Sequence, residues 1–346
     1  KLPIRTVNVE FGAQVRNTGP VGNDLLPGVK NVVLIGSGKG GVGKSTVAAN
    51  IACALAQTGA RVGLLDADIY GPSVTTAFGA WERPEVTEDQ RIKPVTKFGL
   101  KLMSMGMLLE EGQPVVWRGP MLDSVLKQFL GQVIWGELDY LVIDLPPGTG
   151  DVQLSLSKLC PQALAVVVTT PQDIALADVK RALNMFKTVN IKTVGLIENM
   201  SGFICSHCGQ RTDIFLSGGG RRAANQFGIE LLGEIPLTIE VAELTDAGTP
   251  PVIDRPGSDY SRLLKAIAGK VAQVVAIESA RRAEGRPSSP PDAPEGTVPA
   301  GRSYTDAGPA GGHAHHHHHH HHGHGPHGHE HGDGRQSVGG KGFTKF

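Results

Sequence analysis

The feature that most constrains this 346-residue chain is a glycine-rich segment at 38–45, which fits the pattern G-x-x-x-x-G-K-S. The segment follows an apolar run at 32–35 and precedes a helical pattern at 44–57. Glycines let successive backbone N–H groups converge on phosphate oxygens, and the N-terminus of the following helix adds partial positive charge. The segment therefore predicts a phosphate-binding loop between a strand and a helix.

The side chains of this loop have separate expected tasks. Lys44 would neutralise the β- and γ-phosphates, Ser45 would ligate Mg²⁺, and Thr46 would reach the α-phosphate. Lys39 is not required by the general pattern, so a phosphate contact and a solvated loop lysine both stay open for it. We expect a nucleotide to contact the whole segment, namely Gly38, Lys39, Gly40, Gly41, Val42, Gly43, Lys44, Ser45 and Thr46.

Two acidic segments lie at the ends of further apolar runs. Asp66-Ala-Asp68 ends the run at 61–65 and leads into a loop that is able to respond to a γ-phosphate. Asp68 would orient the attacking water or accept its proton. Asp144 follows the run at 140–143, where it would hold Mg²⁺ through water, and Gly148 would present its N–H to the γ-phosphate. These elements in this order predict a nucleotide-hydrolysing site.

Short apolar runs alternate with helical patterns along the chain. Runs that are apolar on both faces, separated by helices, indicate an α/β fold with a mostly parallel sheet and helices on both faces. In such sheets ligands bind at the carboxyl ends of the strands, where the motifs above fall. The predicted strands are 32–35, 61–65, 140–143, 163–169, 193–197 and 231–235, and the predicted helices are 44–57, 121–133, 173–189, 220–227 and 258–277.

Charge and cysteine content restrict the partners and the compartment. The 33 basic and 33 acidic residues balance, which argues against nucleic acid as the main partner. No apolar run approaches the roughly 18–20 residues that span a bilayer, so no membrane partner is expected. Four cysteines do not make a disulfide framework in a chain of this length, which favours a reduced, cytoplasmic compartment.

Composition divides the chain into three predicted segments. Residues 1–28 are interpreted as a strand remnant plus a linker, and residues 29–280 as one folded domain. Residues 281–346 form a Pro/Gly/His-rich tail that holds too few large apolar residues to order itself. Thirteen of the 14 histidines lie between His313 and His331, and such a run binds divalent Ni, Zn or Cu through neutral imidazoles. The tail is either a native metal-binding segment or an expression tag.

Cys205-Ser-His-Cys208 is the most specific cysteine pattern in the chain. Two thiolates from one loop cannot complete a four-thiolate site, whereas two copies in a symmetric dimer can. On the residues alone, an iron–sulfur cluster, a Zn²⁺ ion and a redox dithiol all stay open. Cys53 and Cys160 lie in apolar surroundings and are expected to be small buried groups without chemistry.

Six motifs match a known family in order and in type. They are SGKGGVGKST at 37–46, DADIYGPS at 66–73, DLPPGTGD at 144–151, ENMSG at 198–202, CSHC at 205–208 and GEIP at 233–236. Together they resemble the Mrp/ApbC-type iron–sulfur carrier ATPases, within the MinD/ParA-like group that has a deviant Walker A loop. The resemblance covers roughly residues 26–280 and implies the SIMIBI-like P-loop NTPase fold.

The resemblance also implies roles for individual residues. Lys39 resembles the signature lysine that reaches across a homodimer to the partner's nucleotide. Asp68 resembles the switch aspartate that positions water, and Asp144 resembles the aspartate on the Mg²⁺ side. Asn199 resembles the residue that reads the adenine edge, which makes the nucleotide ATP, and Pro236 resembles a residue lining the base.

For the cysteines, the resemblance implies a [4Fe–4S] cluster that bridges two chains through Cys205 and Cys208 of each. The implied function is an ATP-hydrolysing homodimer that receives the cluster from an upstream scaffold and passes it to apo iron–sulfur proteins. One alternative is a nickel- or zinc-insertion ATPase that uses the histidine tail as a metal reservoir. Another is a positioning ATPase of the MinD/ParA kind, for which the sequence supplies neither an amphipathic membrane helix nor a basic DNA-binding surface.

Overall fold

A computed structural model describes residues 15, 25–69, 71–108, 119–148, 150–172 and 174–284. The predicted strand at 4–9 and the histidine-rich tail lie outside the described residues. The division of the chain at residues 28 and 280 therefore stays a prediction.

The strands form where apolar side chains face both layers of the structure. All five residues of β1, β2 and β5 are buried, which explains their continuous apolar character. Within the described residues the strands are β1 (Val32–Gly36), β2 (Val62–Asp66), β3 (Val95–Lys97), β4 (Leu100–Ser104), β5 (Tyr140–Asp144), β6 (Leu164–Thr169), β7 (Lys192–Ile204), β8 (Arg211–Thr212) and β9 (Leu231–Leu237).

Helices connect most of these strands, and a 3-10 turn spans Met105–Met107. Over the same part of the chain the helices are α1 (Lys44–Gln57), α2 (Val74–Phe78), α3 (Gly119–Gly131), α4 (Asp151–Leu159), α5 (Ile174–Thr188), α6 (Gly219–Phe227), α7 (Ile239–Asp246), α8 (Pro251–Asp254) and α9 (Asp259–Ala283). None of the helices in the described residues combines the length and the apolar character needed to cross a membrane.

One sheet contains all nine strands found in the described residues. Their order is β3-β4-β2-β5-β1-β6-β7-β8, and β9 also pairs with β7. The pairs along the centre of the sheet are parallel, whereas β3 with β4 and β7 with β8 are antiparallel. The prediction of a mostly parallel sheet is therefore confirmed.

Two hydrophobic cores cover the two faces of the sheet. Val33 and Ile35 of β1 belong to the core that includes residues of α1 and α9. Leu34 points to the opposite face and belongs to the core that includes residues of α3, α4 and α5. This alternation follows from the two-residue period of a strand, and it confirms the expectation of helices on both faces.

The observed bounds differ from the predicted ones in identifiable places. Helix α1 has the predicted bounds, and all six predicted strands are present. Strand β7 runs to residue 204 instead of 197, and α9 ends at 283, beyond both its predicted end at 277 and the predicted tail boundary. The short elements β3, β4, β8, α2, α4, α7 and α8 were not predicted, because their runs are too short or too polar to show a period.

The central position of Leu34 makes it a test of the sheet's core. Leu34→Ala removes a side chain that is 0% exposed, so we expect the free energy of unfolding to fall by about 3 kcal/mol through lost burial and a residual cavity. Chemical denaturation measures the change. Val86→Ala, at a residue that is 63% exposed, is the matched control and should change stability by less than about 0.5 kcal/mol. Equal effects of both substitutions would contradict the placement of Leu34.

Candidate functional site

The glycine-rich loop joins β1 to α1 at the carboxyl edge of the sheet. Gly43 precedes α1 with φ 77°, a left-handed conformation that favours glycine. Gly38 needs to be glycine for a different reason, since a Cβ there would lie 2.0 Å from the Asp178 carbonyl oxygen. The loop lines a cavity of about 250 Å³ together with Asp68, Ser73 and Pro147. The predicted loop residues from Lys39 to Thr46 therefore share one cavity with the predicted switch aspartate.

Lys44 and Asp144 form a buried ion pair on this loop. Lys44 Nζ lies 2.6 Å from Asp144 Oδ1 and 3.2 Å from the Ser45 hydroxyl. The Lys44 side chain is 6% exposed and that of Asp144 is 0% exposed. Burial raises the pKa of Asp144, and the charge of Lys44 opposes that shift.

Ser45 and Asp144, the two oxygen-bearing residues of this group, suit a divalent cation. Asp144 Oδ2 is buried and has no hydrogen-bond partner among the described residues. A carboxylate oxygen and a serine hydroxyl are hard oxygen donors of the kind that Mg²⁺ prefers, usually with water and nucleotide phosphates completing its shell. Ser45 and Asp144 therefore fit the predicted magnesium site.

Asp66 organises the loop that carries Asp68. Its carboxylate accepts hydrogen bonds from the backbone N–H groups of Asp68, Ser73 and Val74 at 3.0, 3.0 and 3.1 Å, and from the Ser104 hydroxyl at 3.1 Å. Burial, followed by repulsion from Asp144, raises the pKa of Asp66 to about 7. Sequence reasoning gave a role only to Asp68. The signal for Asp66 was a carboxylate at the last residue of an otherwise apolar strand.

Lys39 contacts residues of its own chain. Its Nζ donates to Gln172 Oε1 at 3.3 Å and lies 3.7 Å from Asp178 Oδ2. Arg181 also pairs with Asp178. The Lys39 side chain is 32% exposed, so the solvated-lysine alternative describes it only in part. Its predicted contact with a partner's nucleotide stays a prediction.

The two residues predicted to contact the base are Asn199 and Pro236. The Asn199 amide donates to the Val42 carbonyl at 2.9 Å and occupies the space that a Cβ on Gly43 would need. Pro236 is half-buried on β9, next to Ile235, the residue paired with Asn199. Of the two, Asn199 contacts the loop, and the base-reading roles of both stay predictions.

Gly148 is the residue whose surroundings differ most from the prediction. Its N–H, expected to face a γ-phosphate, donates instead to the Ser37 carbonyl at 3.1 Å. The backbone of Gly148 has φ 87°, so glycine is favoured there. To contact a phosphate, this N–H would have to release the Ser37 carbonyl oxygen.

The two cysteines of the C-x-x-C motif lie at the tip of a hairpin. Strand β7 ends at residue 204, and β8 returns antiparallel to it. The turn is closed by hydrogen bonds from the Cys205 N–H to the Gln210 carbonyl at 3.0 Å and from the Gly209 N–H to the Cys205 carbonyl at 2.8 Å. Cys205 is half-buried and Cys208 is exposed.

The hairpin backbone favours a thiolate at Cys205. Hydrogen bonds from the backbone N–H of Cys208, and then of His207, lower the pKa of the Cys205 thiol. Within the described part of the chain, no group of three or more His, Cys, Asp or Glu side chains could hold a metal ion. One copy of the hairpin therefore offers a two-thiol site. Cys53 and Cys160 are buried, as predicted.

The raised pKa of Asp66 predicts a pH-dependent stability. Between about pH 4 and 7 the folded protein binds more protons at Asp66 than the unfolded chain, whose carboxyl has a pKa near 3.8. The free energy of unfolding should therefore fall as pH rises through this window, by at most about 1.4 kcal/mol per pH unit from this group.

Asp66→Asn removes this titration and provides the measurement. The stability of the wild type relative to Asp66→Asn should be greater at pH 5 than at pH 7.5 in denaturation experiments. Asp259→Asn changes a 96% exposed carboxylate and is the control. A constant difference between wild type and Asp66→Asn would show that Asp66 is ionised throughout.

Sequence comparisons place this site among known proteins. The chain matches the ParA family described as NUBPL iron-transfer P-loop NTPase over residues 28–272. An iron–sulfur cluster carrier protein from Deinococcus radiodurans is 50% identical over 278 residues, which cover 80% of this chain and 78% of the relative. Another, from Aquifex aeolicus, is 55% identical over 252 residues, which cover 72% of this chain and 69% of the relative.

Solved structures share the fold. A nucleotide-binding protein from Archaeoglobus fulgidus, in complex with ADP, has a TM-score of 0.58 and 37% identity over 67% of this chain and 90% of its own. The cell division ATPase MinD from Pyrococcus furiosus has a TM-score of 0.54 and 22% identity over 70% of this chain and 99% of its own, a likeness of fold alone. With the loop, the two aspartate segments and the cysteine hairpin in place, the chain belongs to the NUBPL-type family of iron-transfer P-loop NTPases.

Proposed function

We propose that this protein is an ATP-hydrolysing homodimer that carries a [4Fe–4S] cluster and transfers it to apo iron–sulfur proteins. Cys205 and Cys208 of each chain would hold the cluster between the two copies. Its membership of the family, and relatives of about 50% identity named as iron–sulfur cluster carriers, support the cargo. A carrier has to receive its cargo before passing it on, so the cluster would come from an upstream scaffold.

The observation that carries the proposal is the two-thiol hairpin. Cys205 and Cys208 lie at its accessible tip, and the described residues offer no third ligand near them. An all-thiolate [4Fe–4S] cluster needs four cysteines, and two symmetry-related hairpins supply that number. A site shared in this way can be opened by separating the two chains.

We assign the binding and hydrolysis of ATP to the loop cavity. The loop N–H groups and Lys44 would bind the phosphates of ATP, and Ser45 with Asp144 would hold the Mg²⁺ that accompanies them. Asp68 would orient the water that attacks the γ-phosphorus, with ADP as the leaving group. Asn199 and Pro236 would contact the base.

Lys39 would link hydrolysis to the dimer. A cation supplied in trans to a γ-phosphate contributes on the order of 10³–10⁵ in rate in enzymes that use an arginine finger. For Lys39 to act in this way, its Nζ has to leave Gln172 and Asp178. Asp178 keeps its ion pair with Arg181 when that happens, so its buried carboxylate does not become unpaired.

Strand β7 would connect the nucleotide site with the cysteine hairpin. It carries Asn199 beside the phosphate loop, and Cys205 directly follows its last residue. Six residues of extended chain span about 20 Å at most. A change in how Asn199 is held can therefore reach the hairpin through a single strand.

Removal of Lys44 tests the nucleotide assignment. Lys44→Ala should weaken ATP binding by about 10- to 100-fold, since a charge-assisted phosphate contact is lost. Isothermal titration with ATP and Mg²⁺ measures this, and thermal melting checks that the variant is folded, because Asp144 loses its buried partner. Lys187→Ala, at an exposed lysine on α5, is the control. Unchanged ATP affinity in a folded Lys44→Ala protein would refute the assignment.

Removal of a thiol tests the cargo. Cys208→Ser should lose the cluster after anaerobic reconstitution with iron and sulfide, while the wild type should hold about two iron and two sulfide per chain. Metal and acid-labile sulfide analysis measures both. Ser206→Ala, between the two cysteines, is the matched control and should retain the cluster. Zinc without sulfide in the reconstituted wild type, or a full cluster in Cys208→Ser, would defeat the proposal.

A further inference from the structure

Two exposed apolar side chains follow the cysteine hairpin. Ile214 is 51% exposed and Leu216 is 58% exposed, and they lie six and eight residues beyond Cys208 in the sequence. We refer to Ile214 and Leu216 together as the apolar flank. The two residues are partners in an isolated β-bridge, and contiguous exposed apolar side chains mark interaction surfaces.

Leu216 has an unfavourable backbone as well as an exposed side chain. Its φ is +67°, in the left-handed region that a residue with a Cβ rarely adopts. Neither burial nor backbone preference within one chain accounts for a leucine at this position. Strained residues of this kind cluster at functional sites.

The flank is fixed to the strand that carries the cysteines. The Arg211 side chain donates to the Ser201 hydroxyl at 3.2 Å and to Asp213 at 3.0 Å. It lies across Gly202, where a Cβ would be 2.6 Å from Arg211 Nε. The chain that leads into Ile214 is thus attached to β7 at Ser201, and on the other side of Gly202 Thr212 pairs with Phe203.

The hairpin and its flank carry no net charge. Residues 203–218 contain one arginine and one aspartate, which pair with each other, and no other Lys, Arg, Asp or Glu. Two copies of this surface can therefore approach without like-charge repulsion. The proposed four-thiolate site also requires two hairpins to come together, because one hairpin supplies only two thiols.

We propose that the apolar flank contacts a second copy of this chain and excludes water and oxygen from the cluster between the two hairpins. This inference rests on the proposed function, since the shared cluster is what brings the flanks together. Ile214 and Leu216 of each copy would form a continuous apolar margin beside the four thiolates. Their role would be to extend the life of the cluster and to strengthen the dimer.

Two variants of the full chain test the flank. Leu216→Gly removes the apolar side chain and relieves the left-handed strain, so folding should not suffer. Ile214→Ser removes the other apolar side chain of the flank. After reconstitution, sedimentation measures the dimer dissociation constant, and the decay of cluster absorbance in air-saturated buffer measures cluster lifetime.

The matched control is Ile277→Ser on α9. Ile277 is 44% exposed and precedes Glu278, which binds Lys192 at the first residue of β7. The control therefore lies near the opposite end of β7 from Cys205.

We expect each flank variant to weaken the dimer about ten-fold and to lose its cluster several-fold faster in air than the wild type. The Ile277→Ser control should match the wild type in both measurements. Flank variants that also match the wild type would overturn this inference and leave the proposed function standing. A wild type that forms neither cluster nor dimer would instead overturn the proposed function, and this inference with it.

Discussion

A buried ion pair between Lys44 and Asp144 joins the phosphate loop to the centre of the sheet. Asp144 ends β5, which lies between β1 and β2, and it is paired in register with Ile35 on one side and with Asp66 on the other. Removing one partner of such a pair costs about 3–5 kcal/mol, because the remaining charge stays buried. The stability of the sheet where β1, β2 and β5 end therefore depends on Lys44, which neutralises the buried charge of Asp144.

The same pair bears on the proposed binding of a nucleotide together with a cation. Phosphates that attracted Lys44 would weaken its hold on Asp144, whose second oxygen already has no partner in the described residues. A cation bound with the phosphates would restore the balance of charge. Asp66 lies directly opposite, and the repulsion that helps to raise its pKa reflects two carboxylates sharing one edge. The loop held by Asp66 is therefore sensitive to charge at the neighbouring strand.

Local signals in the sequence predicted much of the fold, whereas contacts between distant segments could not be predicted from them. The loop, helix α1 and the central strands follow from glycine spacing and from continuous apolar runs, which are local signals. The extension of β7 to residue 204 does not, because Asn199, Ser201 and Gly202 interrupt its apolar pattern and the β7–β9 pairing shifts register between residues 199 and 203. The contacts of Lys39 with Gln172 and Asp178 join residues more than 130 positions apart, and no local pattern encodes them. The bond from Gly148 to Ser37 was missed for the same reason.

The four thiols of the protein differ in what they can undergo. Burial raises the pKa of Cys53 far above its usual range and that of Cys160 to about 12, so neither presents a thiolate at neutral pH. Cys205 and Cys208 lie at an accessible tip, and the pKa of Cys205 is lowered. Alkylating reagents and oxidants should thus discriminate between the two pairs without any engineering. If the hairpin carries the proposed cluster, the extent of alkylation would report whether it is vacant or loaded, because the remaining two thiols are buried.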